Sequence, residues 1–183
     1  MKHKLFKCVA SVIVTFNLLQ ADTVKQYLNE LSHLNKPQQE VMFNTYKKAK
    51  EFDLQLTMTA IAWQESKFGK YKLNLNDPSC GVFHVMPSTI TKNKWKQSRM
   101  CERLIADYDF SFSVALQRLK YFYNYWISKG CNKNTAWKRS IMSYNAGYDY
   151  RHGNKYYKQI VKRLKAINIW VNKTYNNNST FNF

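Results

Sequence analysis

Apolar residues recur at helical spacing over long stretches of this chain, and the longest stripe lies between residues 112 and 126. Its members fall at i, i+3, i+4, i+7, i+10, i+11 and i+14: Phe112, Ala115, Leu116, Leu119, Phe122, Tyr123 and Trp126. This is the period of one face of an α-helix, so the pattern predicts a long helix with one side in a core.

Shorter stripes of the same period predict further helices: one with Met42, Tyr46 and Ala49, one that runs to Phe68 and stops at Gly69, one with Trp137, Ile141 and Tyr144, and a last one over about 154–171 with Tyr157 and Ile160 inside. Pro87 predicts the entry to a short helix that reaches toward Trp95, residues 70–79 have the composition of a loop, and Asp107 and Asp109 are expected to cap the long helix. A chain of 183 residues is long enough for one domain with a real core.

One of these stripes contains a carboxylate. Between Thr57 and Gly69, Glu65 falls on the face that Met58 and Ile61 define, so its side chain should point inward. Loss of hydration among apolar neighbours disfavours the charged form and raises the carboxyl pKa toward neutrality, as a general acid near pH 7 requires. The alternative is that Glu65 reaches solvent or pairs with a lysine such as Lys67.

Three short motifs follow one another at domain-scale spacing. They are Glu65 to Phe68 (ESKF), Cys80 to Pro87 (CGVFHVMP) and Met142 to Gly147 (MSYNAG). The ordered set resembles the signature of the lytic transglycosylases of lysozyme-like fold, whose motifs read roughly E-S-x-F, G-L-x-Q-x-x-P and A-Y-N-A-G. The resemblance covers about residues 54–165. It implies an all-α, lysozyme-like single domain of about six or seven helices around a saccharide cleft, and no strand pair is required.

The resemblance also implies roles for individual residues. Glu65 is the expected acid and Tyr144 the expected second catalytic residue beside it, with Ser66 helping to orient the carboxyl. The residues expected to bind substrate are Ser66, Gly81, Phe83, His84 and Asn145. No metal and no cofactor is expected, since the sequence has neither metal-ligand spacing nor a Gly-rich phosphate loop. The resemblance also implies that no second carboxylate is needed, because the substrate's own N-acetyl group takes its place.

The implied reaction is cleavage of the β-1,4 bond between N-acetylmuramic acid and N-acetylglucosamine in peptidoglycan, with closure of a 1,6-anhydro ring. Two alternatives remain open. A goose-type lysozyme-like hydrolase shares similar motifs, and Asp77 could then position a water molecule. A non-catalytic protein that binds the cell wall or nucleic acid would use the basic helix faces and aromatic residues.

His84 departs from the family pattern, which has a glutamine at this place. An imidazole can also hydrogen-bond a sugar, and a purely structural histidine is the alternative. A protonated His84 near Glu65 would favour the carboxylate and oppose the raised pKa that an acid needs.

The chain starts with a segment typical of a secretory signal. Lys2, Lys4 and Lys7 precede an apolar run that is short for a bilayer span, and Leu19 to Ala21 can serve as a cleavage site. An uncleaved anchor is the alternative. The expected organisation is a signal peptide at 1–21, an N-terminal helical segment at 22–53, the catalytic domain at 54–171 and a disordered, Asn-rich tail at 172–183.

The net charge of the chain indicates what kind of molecule it binds. Without residues 1–21, 26 basic residues face 11 acidic ones, a net charge of +15. A protein this basic binds polyanions. For an exported protein the peptidoglycan strands of a bacterial periplasm or cell wall, or an anionic membrane surface, fit better than nucleic acid. A monomer is expected, and an envelope-spanning secretion, conjugation or appendage complex is a further possible partner.

Three cysteines remain after the segment 1–21, and three cannot all pair within one chain. A bridge between Cys80 and Cys101 would tie the second motif to the segment after it, which suits an oxidising compartment. The alternative is three thiols, buried or free.

Overall fold

Seven α-helices make up most of the computed structural model, which describes residues 24–74 and 76–177. They are α1 (24–32), α2 (Lys36–Lys50), α3 (Gln55–Ser66), α4 (Lys94–Ala106), α5 (Tyr108–Ser128), α6 (Lys133–Ala146) and α7 (Asn154–Asn177). The predicted all-α class is confirmed. The predicted signal peptide and the last residues of the predicted tail lie outside the described residues.

Side-chain caps set the starts of several helices. Asn35 and Gln38 form a capping box at the start of α2, and Asp107 accepts a hydrogen bond from the amide of Phe110 at the start of α5. Asp109, in the first turn of α5, pairs with Lys48 of α2. The prediction that both aspartates cap this helix is right for Asp107 and wrong for Asp109, whose ion pair joins α5 to α2 instead.

Helix α3 lies at the centre of the bundle and packs against α2 and α7. Every side chain from Thr57 to Trp63 is buried, so this helix has no solvent face along most of its length. A helix that is buried all round belongs to the core of a larger assembly of helices. Any polar group that α3 carries is therefore held in an apolar surrounding.

The end of α3 differs from the prediction. The helix stops at Ser66, and Lys67, Phe68 and Gly69 all have positive φ, whereas the pattern predicted that the helix continues to Phe68. The Ser66 hydroxyl explains the turn: it donates to the Val82 carbonyl at 2.6 Å and accepts from the Gly69 amide at 2.7 Å. A serine side chain thus replaces backbone pairing and turns the chain toward the next segment.

That segment contains a small antiparallel sheet, which the loop-like composition of residues 70–79 did not predict. Strands β1 (Leu73–Asn74) and β2 (Ser79–Cys80) pair, with Leu73 opposite Cys80. Directly after β2, Gly81 has a φ of 82°, and a Cβ atom there would overlap the Leu104 carbonyl of α4. Glycine is required here by backbone geometry and by the closeness of α4.

A disulfide joins β2 to α4. Cys80 and Cys101 are bridged, with Cα atoms 5.4 Å apart, and Cys131 is free. Helix α4 itself was not predicted at this length, because the pattern indicated only a short helix after Pro87. The structure has instead a 3₁₀ turn at Pro87–Thr89 followed by a separate helix.

Helices α5, α6 and α7 complete the core around α3. The predicted stripe of α5 is buried except for Tyr123, which is half-buried. Helix α7 runs to Asn177, past the predicted end at Val171, and its inner face contains Tyr156 where the pattern placed Tyr157. Of the helices described, none combines the length and apolar character that crossing a membrane requires.

Candidate active site

Glu65 lies in the last turn of α3 and is the centre of the candidate site. Its side chain is 15% exposed. The pKa of this carboxyl is raised to about 7: burial is the largest cause, the Tyr156 hydrogen bond lowers the pKa in part, the negative charge of Asp77 raises it, and the charge of Arg118 lowers it. The group is therefore part protonated near neutral pH, the condition for a general acid. The predicted inward orientation of Glu65 agrees with this geometry.

Tyr156 is the direct partner of this carboxyl. Its hydroxyl donates to Oε1 of Glu65 at 2.5 Å, and burial together with the neighbouring carboxylate raises the pKa of Tyr156 well above its ordinary value. The phenol thus stays protonated and serves as a donor at any relevant pH. Sequence reasoning did not identify Tyr156. The spacing of Tyr156, Ile160 and Ile167, at i, i+4 and i+11, fits one face of a helix, but this pattern alone did not single out Tyr156.

His84 approaches the other oxygen of the carboxyl. Its Nδ1 lies 3.6 Å from Oε2 of Glu65, and its Nε2 lies 2.6 Å from the Tyr71 carbonyl oxygen. A carbonyl oxygen only accepts, so the Nε2 proton is assigned to this bond, and in the neutral ring Nδ1 is left as an acceptor toward Glu65. His84 has a φ of 44°, a backbone conformation that is strained for a non-glycine residue and common at functional sites.

The positions of Tyr156 and His84 indicate which oxygen of Glu65 carries the acid proton. Oε1 of Glu65 accepts from Tyr156, and Oε2 faces the acceptor nitrogen of His84. When the carboxyl is protonated beside a neutral imidazole, the proton therefore belongs on Oε2. This is the oxygen from which a proton can be delivered.

Tyr144 makes its hydrogen bond to the residue before His84 and not to the Glu65 carboxyl. It is buried, and its hydroxyl donates to the Phe83 carbonyl at 2.9 Å. Burial, followed by the charge of Glu65, raises its pKa above the ordinary value, and Arg118 donates from Nε to the Tyr144 carbonyl at 3.3 Å. Tyr144 therefore fixes the backbone of Phe83, the residue before His84, and lies close enough to Glu65 for the carboxylate charge to act on it.

The remaining expected site residues occupy different places. Ser66, Gly81 and Phe83 are buried: Ser66 bonds the Val82 carbonyl, Gly81 lies against α4, and the Phe83 ring packs on α5. Their contact with a substrate stays a prediction. Asn145 is exposed in the last turn of α6. The structure brings Glu65, His84 and Tyr144 together with Tyr156.

A cleft of about 740 Å³ borders this group of residues. Its walls come from the segment after His84, from α5 and from the turn after α6: Val85, Thr89, Ile90, Lys92, Val114, Gln117, Arg118, Tyr121, Phe122, Gly147 and Tyr148. The hydroxyls of Tyr121 and Tyr148 form a hydrogen bond with each other, and both rings are half exposed. A volume of this size with aromatic walls and a few polar groups suits a ligand of several rings.

A second cavity of about 670 Å³ opens at the start of α3, lined among others by Leu54, Gln55 and Trp137. Glu65 is at the other end of that helix, so this cavity does not belong to the site. In the described ranges 24–74 and 76–177, no three side chains of histidine, cysteine, aspartate or glutamate come together in a way that could hold a metal ion.

Comparison with known proteins assigns the family. A sequence model described as Transglycosylase SLT domain matches residues 41–168, more than half of the chain and including all three motifs. No curated protein and no solved structure matches the chain. The buried acid, the cleft beside it and the all-α architecture agree with this match. The chain therefore belongs to the transglycosylase SLT domain family, whose members have a lysozyme-like fold and act on peptidoglycan as lytic transglycosylases.

Proposed function

We propose that this protein is a peptidoglycan lytic transglycosylase that cleaves the β-1,4 bond between N-acetylmuramic acid and N-acetylglucosamine and leaves a 1,6-anhydromuramyl end. The observation that carries the proposal is the environment of Glu65. A carboxyl with a pKa of about 7 accepts a hydrogen bond from Tyr156 and has the His84 imidazole 3.6 Å from its other oxygen. Val85, directly after His84, and Arg118, whose charge acts on Glu65, line the neighbouring cleft of about 740 Å³.

In the proposed first step Glu65 acts as a general acid. The proton on Oε2 passes to the glycosidic oxygen, and the bond from that oxygen to C1 of the muramyl residue breaks. The carbonyl oxygen of the muramyl N-acetyl group stabilises the positive charge that develops at C1. Tyr156 then stabilises the new carboxylate, because a hydrogen bond to an ionised acceptor is stronger than one to a neutral acceptor.

In the proposed second step the same residue acts as a base. The Glu65 carboxylate takes the proton of the C6 hydroxyl, and O6 bonds to C1 to close the anhydro ring. Glu65 ends protonated, as it began, and no water is added. One carboxylate is sufficient for this sequence, in contrast to the pair that hydrolytic glycosidases ordinarily use.

Asp77 is the residue that decides between this reaction and hydrolysis. It is exposed, 12 positions after Glu65, and its charge raises the pKa of Glu65. In a goose-type hydrolase it would position the attacking water. In the proposed reaction it acts only through its charge.

The other parts of the site support these steps. His84 is proposed to keep the acid proton on Oε2, Tyr144 to hold the backbone before His84, and Asn145 to contact the saccharide from the end of α6. We propose that the chain acts in the periplasm or cell wall after loss of residues 1–21, as a monomer on glycan strands. Membership of an envelope-spanning secretion, conjugation or appendage complex fits the same activity, and nucleic acid is not a proposed partner.

The decisive experiment compares Glu65→Gln with the wild-type protein on purified sacculi. The variant keeps the shape of the side chain but has no proton to give, so binding should persist while turnover falls by about 10² to 10⁴-fold. Mass spectrometry of the products released by the wild-type protein should show anhydro ends about 18 Da lighter than hydrolytic ends, the mass of the water not added.

Asp77→Asn is the matched control, and it should keep most of the activity. Reducing ends together with an inactive Asp77→Asn variant would identify a hydrolase. Full activity of Glu65→Gln would overturn the mechanism.

A further inference from the structure

A basic surface with exposed apolar groups lies beside the cleft, on the segment between the 3₁₀ turn and the middle of α4. We call it the α4 surface; its members are Ile90, Lys92, Lys94, Trp95, Lys96 and Arg99. Trp95 is 89% exposed, more than any other large apolar side chain in the part of the chain described. Tryptophan side chains are normally well buried, so one held in solvent marks a contact surface.

The four cations of this surface have no acidic partner nearby. The sequence contains no aspartate or glutamate from residue 78 to residue 101. All four side chains are exposed, and none belongs to an ion pair within residues 24–74 and 76–177. The α4 surface is therefore a concentrated positive charge available to an anionic partner.

The position of Trp95 is built into the fold. The Asn93 side chain caps α4 by accepting from the Lys96 amide, Gln97 donates to the Thr91 carbonyl at 3.0 Å, and Cys101 is bridged to Cys80. The only fully buried side chain of α4, Leu104, lies in its C-terminal half. Its first turns are thus fixed in place while the residues on them remain free for another molecule.

The α4 surface is continuous with the cleft. Ile90 and Lys92 belong to it and also line the cleft of about 740 Å³. Lys94 and Trp95 follow this shared segment directly, in the first turn of α4. The surface is thus placed to meet a long substrate where it extends beyond the cleft.

We propose that the α4 surface is a second binding site for the peptidoglycan strand, outside the catalytic cleft. The indole ring of Trp95 stacks on the apolar face of a sugar ring, and the lysines and Arg99 bind carboxylates of the peptides attached to the strand. This inference rests on the proposed substrate, and it adds where and how strand segments away from the cleavage point are held.

An anionic bilayer is the partner of another class that such a surface could contact. Tryptophan and lysine both occur at membrane interfaces. Binding in the plane of a bilayer, however, requires a broad apolar face, and only Ile90 and Trp95 supply exposed apolar groups here. The continuity with the cleft also favours the polymer on which the family acts.

The test uses two variants in a Glu65→Gln background, so that sacculi are bound but not cut. Trp95→Ala and the double variant Lys94→Ala/Lys96→Ala should each weaken binding to sacculi by about tenfold, since a buried tryptophan or charge contact at an interface contributes on the order of 1–2 kcal/mol. Trp95→Phe should recover part of the loss. The matched control is Lys158→Ala/Lys162→Ala on α7, which removes the same charge from exposed positions and should bind like the parent.

Two substrates separate the binding of peptide carboxylates by the lysines from the stacking of a sugar ring on Trp95. Sacculi whose peptides have been removed by an amidase should be bound equally by the parent and by Lys94→Ala/Lys96→Ala, whereas Trp95→Ala should remain weaker. With Glu65 intact, a short soluble muropeptide that fills only the cleft should be turned over by Trp95→Ala at the wild-type rate.

Three results would overturn the inference. The first is that both variants bind sacculi as tightly as the Glu65→Gln parent while their helix content is unchanged. The second is a loss of the same size in the α7 control, which would mean that overall charge alone matters. The third is unchanged binding of sacculi with lost binding of phosphatidylglycerol vesicles, which would assign the surface to a membrane. If wild-type protein cuts neither sacculi nor the soluble muropeptide, the proposed function fails instead, and the binding measurements still judge the α4 surface.

Discussion

Two neighbours of the Glu65 carboxyl lie at different oxygens. Tyr156 donates to Oε1 and so favours the carboxylate, whereas Nδ1 of His84 lies 3.6 Å from Oε2, beyond hydrogen-bond distance. Burial is the largest influence and keeps the pKa near 7. The proposed role of Glu65, acid in one step and base in the next, needs such a pKa, because neither form can then be much more stable than the other.

Tyr156→Phe should change the pH profile in a defined direction. Its hydrogen bond lowers the Glu65 pKa, so removal should raise that pKa above about 7 and move the alkaline limb of the profile to higher pH. The turnover number should fall by about 10 to 100-fold, because a hydrogen bond to a charged group contributes about 1.5–3 kcal/mol. Rates measured from pH 5 to 9 test this; an alkaline limb that stays in place or moves to lower pH would show that Tyr156 does not act on the carboxyl.

His84→Gln should test whether the site needs an imidazole. Glutamine is the residue that the family pattern has at this place, and its amide can donate to the Tyr71 carbonyl as Nε2 of His84 does. The variant should therefore retain activity on sacculi. An inactive His84→Gln variant would mean that the imidazole has a role that an amide cannot fill.

The sequence predicted some of these residues and missed others for physical reasons. Glu65 could be found because a carboxylate on an apolar stripe is unusual. Tyr156 could not be separated from Tyr157, since the start of α7 sets which of the two faces inward. Membership of a motif placed Ser66 and Phe83 near the site, but a motif does not distinguish a residue that contacts substrate from one that supports the backbone behind it.

At the scale of elements, the site depends on how the β1–β2 hairpin and the segment after it lie against the end of α3. The buried Ser66 hydroxyl makes this junction, and Tyr144 of α6 holds the same segment from the other side through the Phe83 carbonyl. The stripes predicted α3, α5, α6 and α7. They could not predict the hairpin or the full length of α4, because a two-residue strand has no period and α4 buries too few side chains to show one.

Ser66→Ala should test this junction. The variant leaves the Val82 carbonyl and the Gly69 amide without their buried partner, so the free energy of unfolding should fall by about 2–4 kcal/mol. Ser128→Ala removes an exposed hydroxyl that also bonds backbone and should cost less than about 0.5 kcal/mol. Urea unfolding of both proteins gives the comparison, and equal costs would contradict the assigned role of Ser66.

For the whole molecule, the disulfide and a strong positive charge are the main global properties. The bridge from Cys80 to Cys101 closes a loop that includes His84 and the α4 surface, and among the described residues the free cysteine is Cys131, just before α6. The sequence suggested this pair but left three separate thiols as the alternative. The structure decides for the bridge, because the packing of α4 on the hairpin brings the two Cα atoms to 5.4 Å.

Thiol counting checks the bridge. Protein that begins at Asp22 should show one reactive thiol, Cys131, after unfolding without a reductant, and three after reduction. Reduction should also lower the free energy of unfolding by about 3 kcal/mol, the chain-entropy contribution of a loop of this size. Three thiols in the unreduced protein would show that the bridge does not form.

The same bridge relates one wall of the cleft to the redox state of its surroundings. Thiols stay apart in a reducing cytoplasm and pair in an oxidising compartment, so the segment that contains His84 and Val85 is tied to α4 only under oxidising conditions. Members of the family act on peptidoglycan, which lies outside the cytoplasm. The conditions that complete this wall are therefore of the kind in which the substrate of the family is found.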